Sequence, residues 1–187
     1  MDQYSYAVEL LKKYEGFNRV AVWDVNAYRI GYGSDTITNS NGQYRKVKKG
    51  DVTTEQLAAK DLQRRIREFE KKLISQVGYN YWQPLNYQVK AALISLGYNY
   101  GGFIPSLTKT IEAIKSGNNK KIASTILSET KNHNKKLKEN IRAALYKRRQ
   151  KEAAIIENAP QSNKGFNKKI LLLPIALILI YIINKKK

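Results

Sequence analysis

The sequence predicts an α+β fold, mostly helical, with a small antiparallel β-sheet subdomain gathered at one end. Three observations carry this. Apolar residues at helical spacing open the chain, residues 19–47 break into short strand-like runs, and beyond residue 53 only helical periodicities occur.

Tyr4, Ala7, Val8, Leu11 and Tyr14 share one face of a helix over residues 4–15, and Gly16 is its natural stop. The runs "VAVW", "YRIGYG" and "YRKVK" follow, with the turn-forming "NSNG" at 39–42, which together read as antiparallel strands. In "DVTTEQ", Thr53 precedes Gln56 by three residues, a capping-box spacing that opens a long helix. Leu62, Ile66, Phe69 and Leu73 form its inner face, and its charged residues form the wet one. After Pro84 a helix turns Leu85, Val89, Ala92, Leu93, Leu96 and Tyr100 inward and ends at Gly101-Gly102. Trp82, beside Pro84, reads as a packing residue. Further helical patterns cover Ser106–Lys115, Lys120–Glu129 and Leu137–Glu157, and no internal repeat is visible.

Composition narrows the chemistry. The absence of cysteine excludes disulfides and thiolate metal sites. A single histidine, His133, excludes a His-rich zinc site and lies in the polar run "TKNHNKKLK", where a solvated side chain is expected. No cofactor or metal is therefore expected. The formal net charge of +19 implies a positive field that attracts nucleic acid, anionic lipid or acidic wall polymers without choosing among them. Six lysines lie beyond Asn163, so 28 basic against 15 acidic residues leave +13 on residues 1–163.

The two ends differ. The first residues lack a basic stretch followed by an apolar core, so no cleavable signal peptide is expected. The other end holds the uninterrupted apolar run Ile170 to Ile183 between lysines. As a helix its 14 residues span about 21 Å at ~1.5 Å each. That is short of a hydrocarbon layer of about 30 Å, but snorkelling lysines and interfacial Phe166 and Tyr181 extend the reach. The expected organisation is a globular domain at 1–157, a linker at 158–168 and a membrane anchor at 169–187.

The stretch "YEGFNRVAVWDVNAYRIGYGSDT" holds three acids within this basic chain. Glu15 falls at the C-terminal end of the first helix, where unpaired carbonyls disfavour a carboxylate and Tyr14, Phe17 and Trp23 add desolvation. Both effects favour a protonated acid able to protonate a leaving oxygen. Asp24 follows a strand-like run and is expected in a turn near that helix end, exposed and ionised. Either acid alone reads as a solvated surface group. Two carboxylates in opposed environments are what glycosidic bond cleavage requires. Gly31 and Gly33 would let the backbone approach a sugar ring, with Tyr28 and Tyr32 lining the cleft.

Glu15-Gly16, Asp24 nine residues on, "RIGYG", "VKKGDVTTEQ" and a long helix together resemble the phage-type lysozymes, the muramidases of bacteriophage lysis and virion penetration. The similarity continues through "LNYQVKAALISLGYNYGGFIPSLTKTIEAIKSGN" and "LYKRRQKEAAII", covering about residues 4–157. The resemblance implies a lysozyme-like fold, Glu15 as general acid, Asp24 as base or stabiliser, and cleavage of the β-1,4 bond between N-acetylmuramic acid and N-acetylglucosamine. Two positions depart from the pattern. Arg29 stands where the family carries a threonine, and Ser34 where it carries a histidine. Ser34, Asp35 and Thr36 are candidates to orient water; Arg29 either pairs with Asp24 or holds the acidic peptide stem of the substrate. Asn99 in "GYNYG" either reaches substrate or satisfies backbone. The substrate-binding candidates are thus Tyr28, Arg29, Tyr32, Ser34, Asp35, Thr36 and Asn99. Peptidoglycan is the expected partner, with a membrane held through residues 170–183, no specific nucleic acid, and a monomeric state. The expected location is a virion or host membrane facing the bacterial wall. Two alternatives stand beside this reading: a lytic transglycosylase with Glu15 as sole acid and base, and a non-catalytic wall- or nucleic-acid-binding membrane protein.

Overall fold

A computed structural model describes residues 1–24, 26–100, 108–133 and 139–161. The linker beyond residue 161, the apolar run 170–183, Gly101-Gly102 and the start of the helix expected from Ser106 lie outside the described residues. Among the described residues, no helix is long and apolar enough to cross a membrane.

Helix α1 (Gln3–Glu15) starts where Asp2 accepts a hydrogen bond from the Ser5 amide at 2.8 Å and stops at Gly16. Strand β1 (Asn18–Asp24) pairs antiparallel with β2 (Ala27–Gly31), Trp23 opposite Tyr28 and Asp24 opposite Ala27, with a register irregularity between Asn18 and Val22. Strand β3 (Thr36–Thr38) pairs with β4 (Tyr44–Lys46) across a turn in which Asn39 accepts from the Gln43 amide at 2.9 Å. The expected sheet is thus two small antiparallel ribbons, with Ile30 of β2 bridged to Ser34 in the turn that leads from one to the other. The strand at 36–38 was not evident from sequence, because its three residues are too few to show a period.

Helix α2 (Glu55–Val77) is capped by Thr54, whose hydroxyl accepts from the Leu57 amide at 3.2 Å, and not by Thr53. Thr53 is buried, and its own amide is spent on the Arg19 carbonyl, so the next threonine takes the cap. The short α3 (Tyr79–Trp82) leads to α4 (Tyr87–Asn99), followed by α5 (Thr108–Ser116), α6 (Asn119–His133) and α7 (Glu139–Asn158). Every residue of α4 from Val89 to Tyr98 is buried, so this helix is the axis on which α1, α2 and α7 pack. Its lack of a polar face is what a surrounded helix requires. Trp82 is buried, its indole N–H donating to Glu70 at 3.0 Å, while the Tyr4 hydroxyl donates to the same carboxylate at 2.5 Å. These bonds clip α1 and α3 to α2.

The ribbons are fastened to α2 through one buried acid. Asp61 accepts from Ser34 at 2.5 Å, from Thr36 at 3.1 Å, from Thr38 at 2.6 Å and from Arg64 at 2.8 Å. Three hydroxyls and a guanidinium compensate its removal from water. Replacing Asp61 by Ala takes the acceptor from Thr38 and leaves Ser34, Thr36 and Arg64 only their remaining contacts with one another and with Glu68, a loss of about 1–3 kcal/mol. Urea denaturation of Asp61→Ala should show a midpoint lowered accordingly; a midpoint equal to the parent's would refute the role assigned to this carboxylate.

Candidate active site

Glu15 is the last residue of α1, with its side chain 19% exposed. Its Oε1 accepts from Arg148 of α7 at 2.7 Å, a contact between residues 133 apart in sequence. Arg148 is itself held: its Nε lies 3.3 Å from Glu152, its Nη2 lies 3.3 Å from the Ser95 hydroxyl of α4, and its guanidinium lies 4.9 Å from the Tyr14 ring centroid. Behind it Arg149 and Glu152, both buried, pair at 2.7 Å, and Ser95 donates to Glu152 at 2.6 Å. The "RR" doublet thus divides its work, one arginine for the Glu15 carboxylate and one for the α4–α7 interface.

The glycines have a use other than the expected approach to a sugar. Gly33 has φ +72°, and a Cβ there would lie 2.9 Å from Oε2 of Glu15. Gly31 has φ +60°, and a Cβ there would lie 2.7 Å from the Ala58 Cβ on α2. The segment between β2 and β3 therefore threads between the end of α1 and the wall of α2, where only glycine fits. The Tyr98 hydroxyl holds it, donating to the Tyr32 carbonyl at 2.7 Å. Burial raises that hydroxyl's pKa, so it remains a donor.

Asp24 ends β1 with its side chain 61% exposed, and Arg29 Nε approaches to 3.7 Å. The strand register makes them diagonal neighbours on one face, since Arg29 stands opposite Val22. Trp23 and Tyr28 occupy the other face, ring centroids 5.1 Å apart and edge-on. Arg29 Nη1 lies 3.8 Å from Asp35, which is gripped by Lys46 and Arg65. Burial pushes the Asp35 carboxyl up, but the Lys46 ammonium and Arg65 guanidinium outweigh it and hold the pKa down at about 2.

Tyr32, Ser34 and Thr36 face inward, and Asn99 is exposed. Tyr32 is buried and packs against Phe17 at 5.6 Å between centroids. Ser34 and Thr36 are buried with their hydroxyls on Asp61. Asn99 accepts from Arg149 at 3.3 Å. The structure thus brings Asp24, Arg29 and Asp35 into one line and Glu15 beside Gly33, while Tyr32, Ser34, Thr36 and Asn99 are engaged by the scaffold. Sequence reasoning missed Arg148, Asp61, Arg65 and Lys46 as partners. Asp61 left a signal, an acid beside Leu62 on the apolar face of α2; the Arg148 contact left none short of the fold. Among the described residues no group of three or more acids or histidines has the spacing to hold a metal ion.

Chemically, the arrangement presents one carboxyl fixed from behind by a guanidinium and a second, solvent-facing carboxylate at the end of the neighbouring ribbon. The sequence profile of the phage lysozyme family matches residues 12–152. An endolysin from a phage of Escherichia coli O157:H7, FAHEc1, is 23% identical and superposes with a TM-score of 0.64 over 84% of this chain and 94% of its own. A mutant P22 lysozyme, also 23% identical, gives 0.63 over 83% and 98%. The muramidase domain of SpmX from Asticaccaulis excentricus, 20% identical, gives 0.51 over 82% and 95%. These likenesses show a lysozyme-like fold. No curated protein sequence matches the chain significantly.

Two expectations follow from the geometry. Gly33→Ala should cost about 1–2 kcal/mol of backbone strain, but lower activity on bacterial wall by far more than its loss of stability accounts for, because the nearest atom forced aside is Oε2 of the Glu15 carboxyl; a variant as active as the parent would refute this placement. Asp35, depressed when folded, contributes stability that is complete above its unfolded value near 3.8 and is lost as pH falls toward about 2. Urea midpoints measured between pH 5 and pH 2 should therefore fall less steeply in Asp35→Asn than in the parent.

Proposed function

The chain belongs to the phage lysozyme family, and from that premise we propose that it is a muramidase hydrolysing the β-1,4 bond between N-acetylmuramic acid and N-acetylglucosamine of peptidoglycan. The observation that carries this reading is the placement of Glu15, set at the end of α1 and fixed by Arg148 on one oxygen only. Oε2, on the Gly33 side, is the oxygen that Arg148 leaves unengaged. A carboxyl held in one orientation delivers its proton along one path, here to the glycosidic oxygen of the departing sugar.

Asp24 is the partner. Its exposure leaves it in reach of water, so it acts as the base that orients the attacking water or as a negative charge opposing the oxocarbenium-like transition state. An inverting displacement calls for carboxyls roughly 6.5–9.5 Å apart, leaving room for that water. The excess of basic residues suits an anionic wall, raising the local concentration of substrate without a specific pocket. The apolar run 170–183 adds attachment to a virion or host membrane, a reading carried by its composition and flanking lysines.

Digestion of purified peptidoglycan by the full-length chain, with the fragments weighed by mass spectrometry, tests the proposal. The expected products have ordinary reducing ends, and Glu15→Gln should lower their release by about 10²–10⁴-fold. Anhydro ends would instead establish a transglycosylase. No fragments from folded protein would leave wall binding without catalysis.

A further inference from the structure

The position where the family pattern has threonine is filled here by an arginine with an acid at each end. Arg29 Nε faces Asp24 at 3.7 Å and Nη1 faces Asp35 at 3.8 Å. Asp35 is held in turn by Arg65 of α2 and Lys46 of β4. Arg65 is fixed by the helix, its guanidinium 5.1 Å from the Phe69 ring centroid and 5.5 Å from that of Tyr98. The charges alternate along the whole series, and side-chain exposure falls from 61% at Asp24 through 29% at Arg29 and 20% at Asp35 to 13% at Arg65. The series is anchored in the core at one end and emerges at the strand terminus at the other.

We propose that Arg29 is a positioning residue for Asp24, and that Asp35, itself clamped by Arg65 and Lys46, positions Arg29. This rests on Asp24 acting in the reaction proposed above. A carboxylate on an exposed strand end samples several rotamers, whereas a base must be held within roughly 0.5 Å of its productive position. A threonine would be too short to reach both Asp24 and Asp35; a guanidinium, planar with nitrogens at both ends, bridges them. Lys46 and Arg65 hold the pKa of the Asp35 carboxyl at about 2, so the anchor keeps its charge near neutral pH. Both contacts of Arg29 are longer than a hydrogen bond, and such contacts tighten when substrate excludes water.

The alternative use of Arg29, gripping a carboxylate of the substrate's peptide stem, makes a different kinetic demand. A group that binds substrate equally in ground and transition states alters KM; one that orients the base alters kcat. Steady-state rates on soluble peptidoglycan fragments would be measured for the full-length parent, Arg29→Gln, Arg29→Lys, Asp35→Asn and the Arg29→Gln/Asp35→Asn double variant, with Glu15→Gln as the inactive reference and thermal melts alongside. Arg29→Gln and Asp35→Asn should each lower kcat by about 10- to 100-fold, with KM little changed, and Arg29→Lys should retain part of the loss. The double variant should be no slower than Arg29→Gln alone, because Asp35 acts only through Arg29.

A parental kcat in Arg29→Gln would overturn the proposal, as would a rise confined to KM or a double variant slowed by the product of the two single effects. If Asp35→Asn melts below the assay temperature, the kcat and KM of the two Arg29 variants decide alone. A parent that cleaves while Arg29→Gln cleaves equally well removes only this inference; a folded parent that releases no fragments removes the muramidase reading and this one with it.

Discussion

One guanidinium closes the molecule. Arg148 touches the last residue of α1, the middle of α4 and its own helix, so the carboxyl proposed as the proton donor is held by the same group that docks α7. Both side chains of this contact are largely withdrawn from water. That withdrawal obliges the neighbourhood to supply further compensation, and Glu152 with Ser95 does so. Fold and site are therefore coupled at this point. The α4–α7 interface cannot shift without moving Glu15.

The same logic explains why so basic a chain concentrates acids in its first third. Each acid of that region that the site involves faces a cation: Glu15 faces Arg148, Asp24 faces Arg29, Asp35 faces Lys46 and Arg65, and Asp61 faces Arg64. Two of these pairs are local, Asp24 with Arg29 in one ribbon and Asp61 with Arg64 on α2, while Arg148 fastens α1 to α7 and Arg65 fastens the ribbon segment at Asp35 to α2. Much of the positive charge near the site is thus engaged internally, while exposed lysines elsewhere supply the field that draws anionic material.

What the sequence disclosed, and what it did not, divides along locality. The end of α1 at Glu15 was legible because apolar spacing and Gly16 both mark it within one turn. Asp24 was legible as exposed because a turn-forming stretch follows it. The cap of α2 was misplaced by one residue because Thr53 is claimed by the Arg19 carbonyl, a contact across more than thirty residues. Residues 34–36 alternate inward and outward as a strand must, yet which of them faces inward was decided by Asp61 on a helix not yet formed in a local reading. Tyr32 was read as lining the cleft beside Gly31 and Gly33; it is buried instead, its ring against Phe17 and its carbonyl accepting from Tyr98. The resemblance carried the site further than periodicity did, for it singled out Glu15 and Asp24 as candidates but none of the residues that hold them.

The separation of 133 residues between Glu15 and Arg148 has a consequence for how the protein comes into being. Contacts so distant along the chain carry a large loop-closure cost and form late in folding. During synthesis α1 leaves the ribosome long before α7 is made, so a nascent chain, or one broken off short, carries the acid without its clamp. Glu15 is therefore clamped only once α7 has been made, and a product that stops short of α7 carries this carboxyl without its guanidinium.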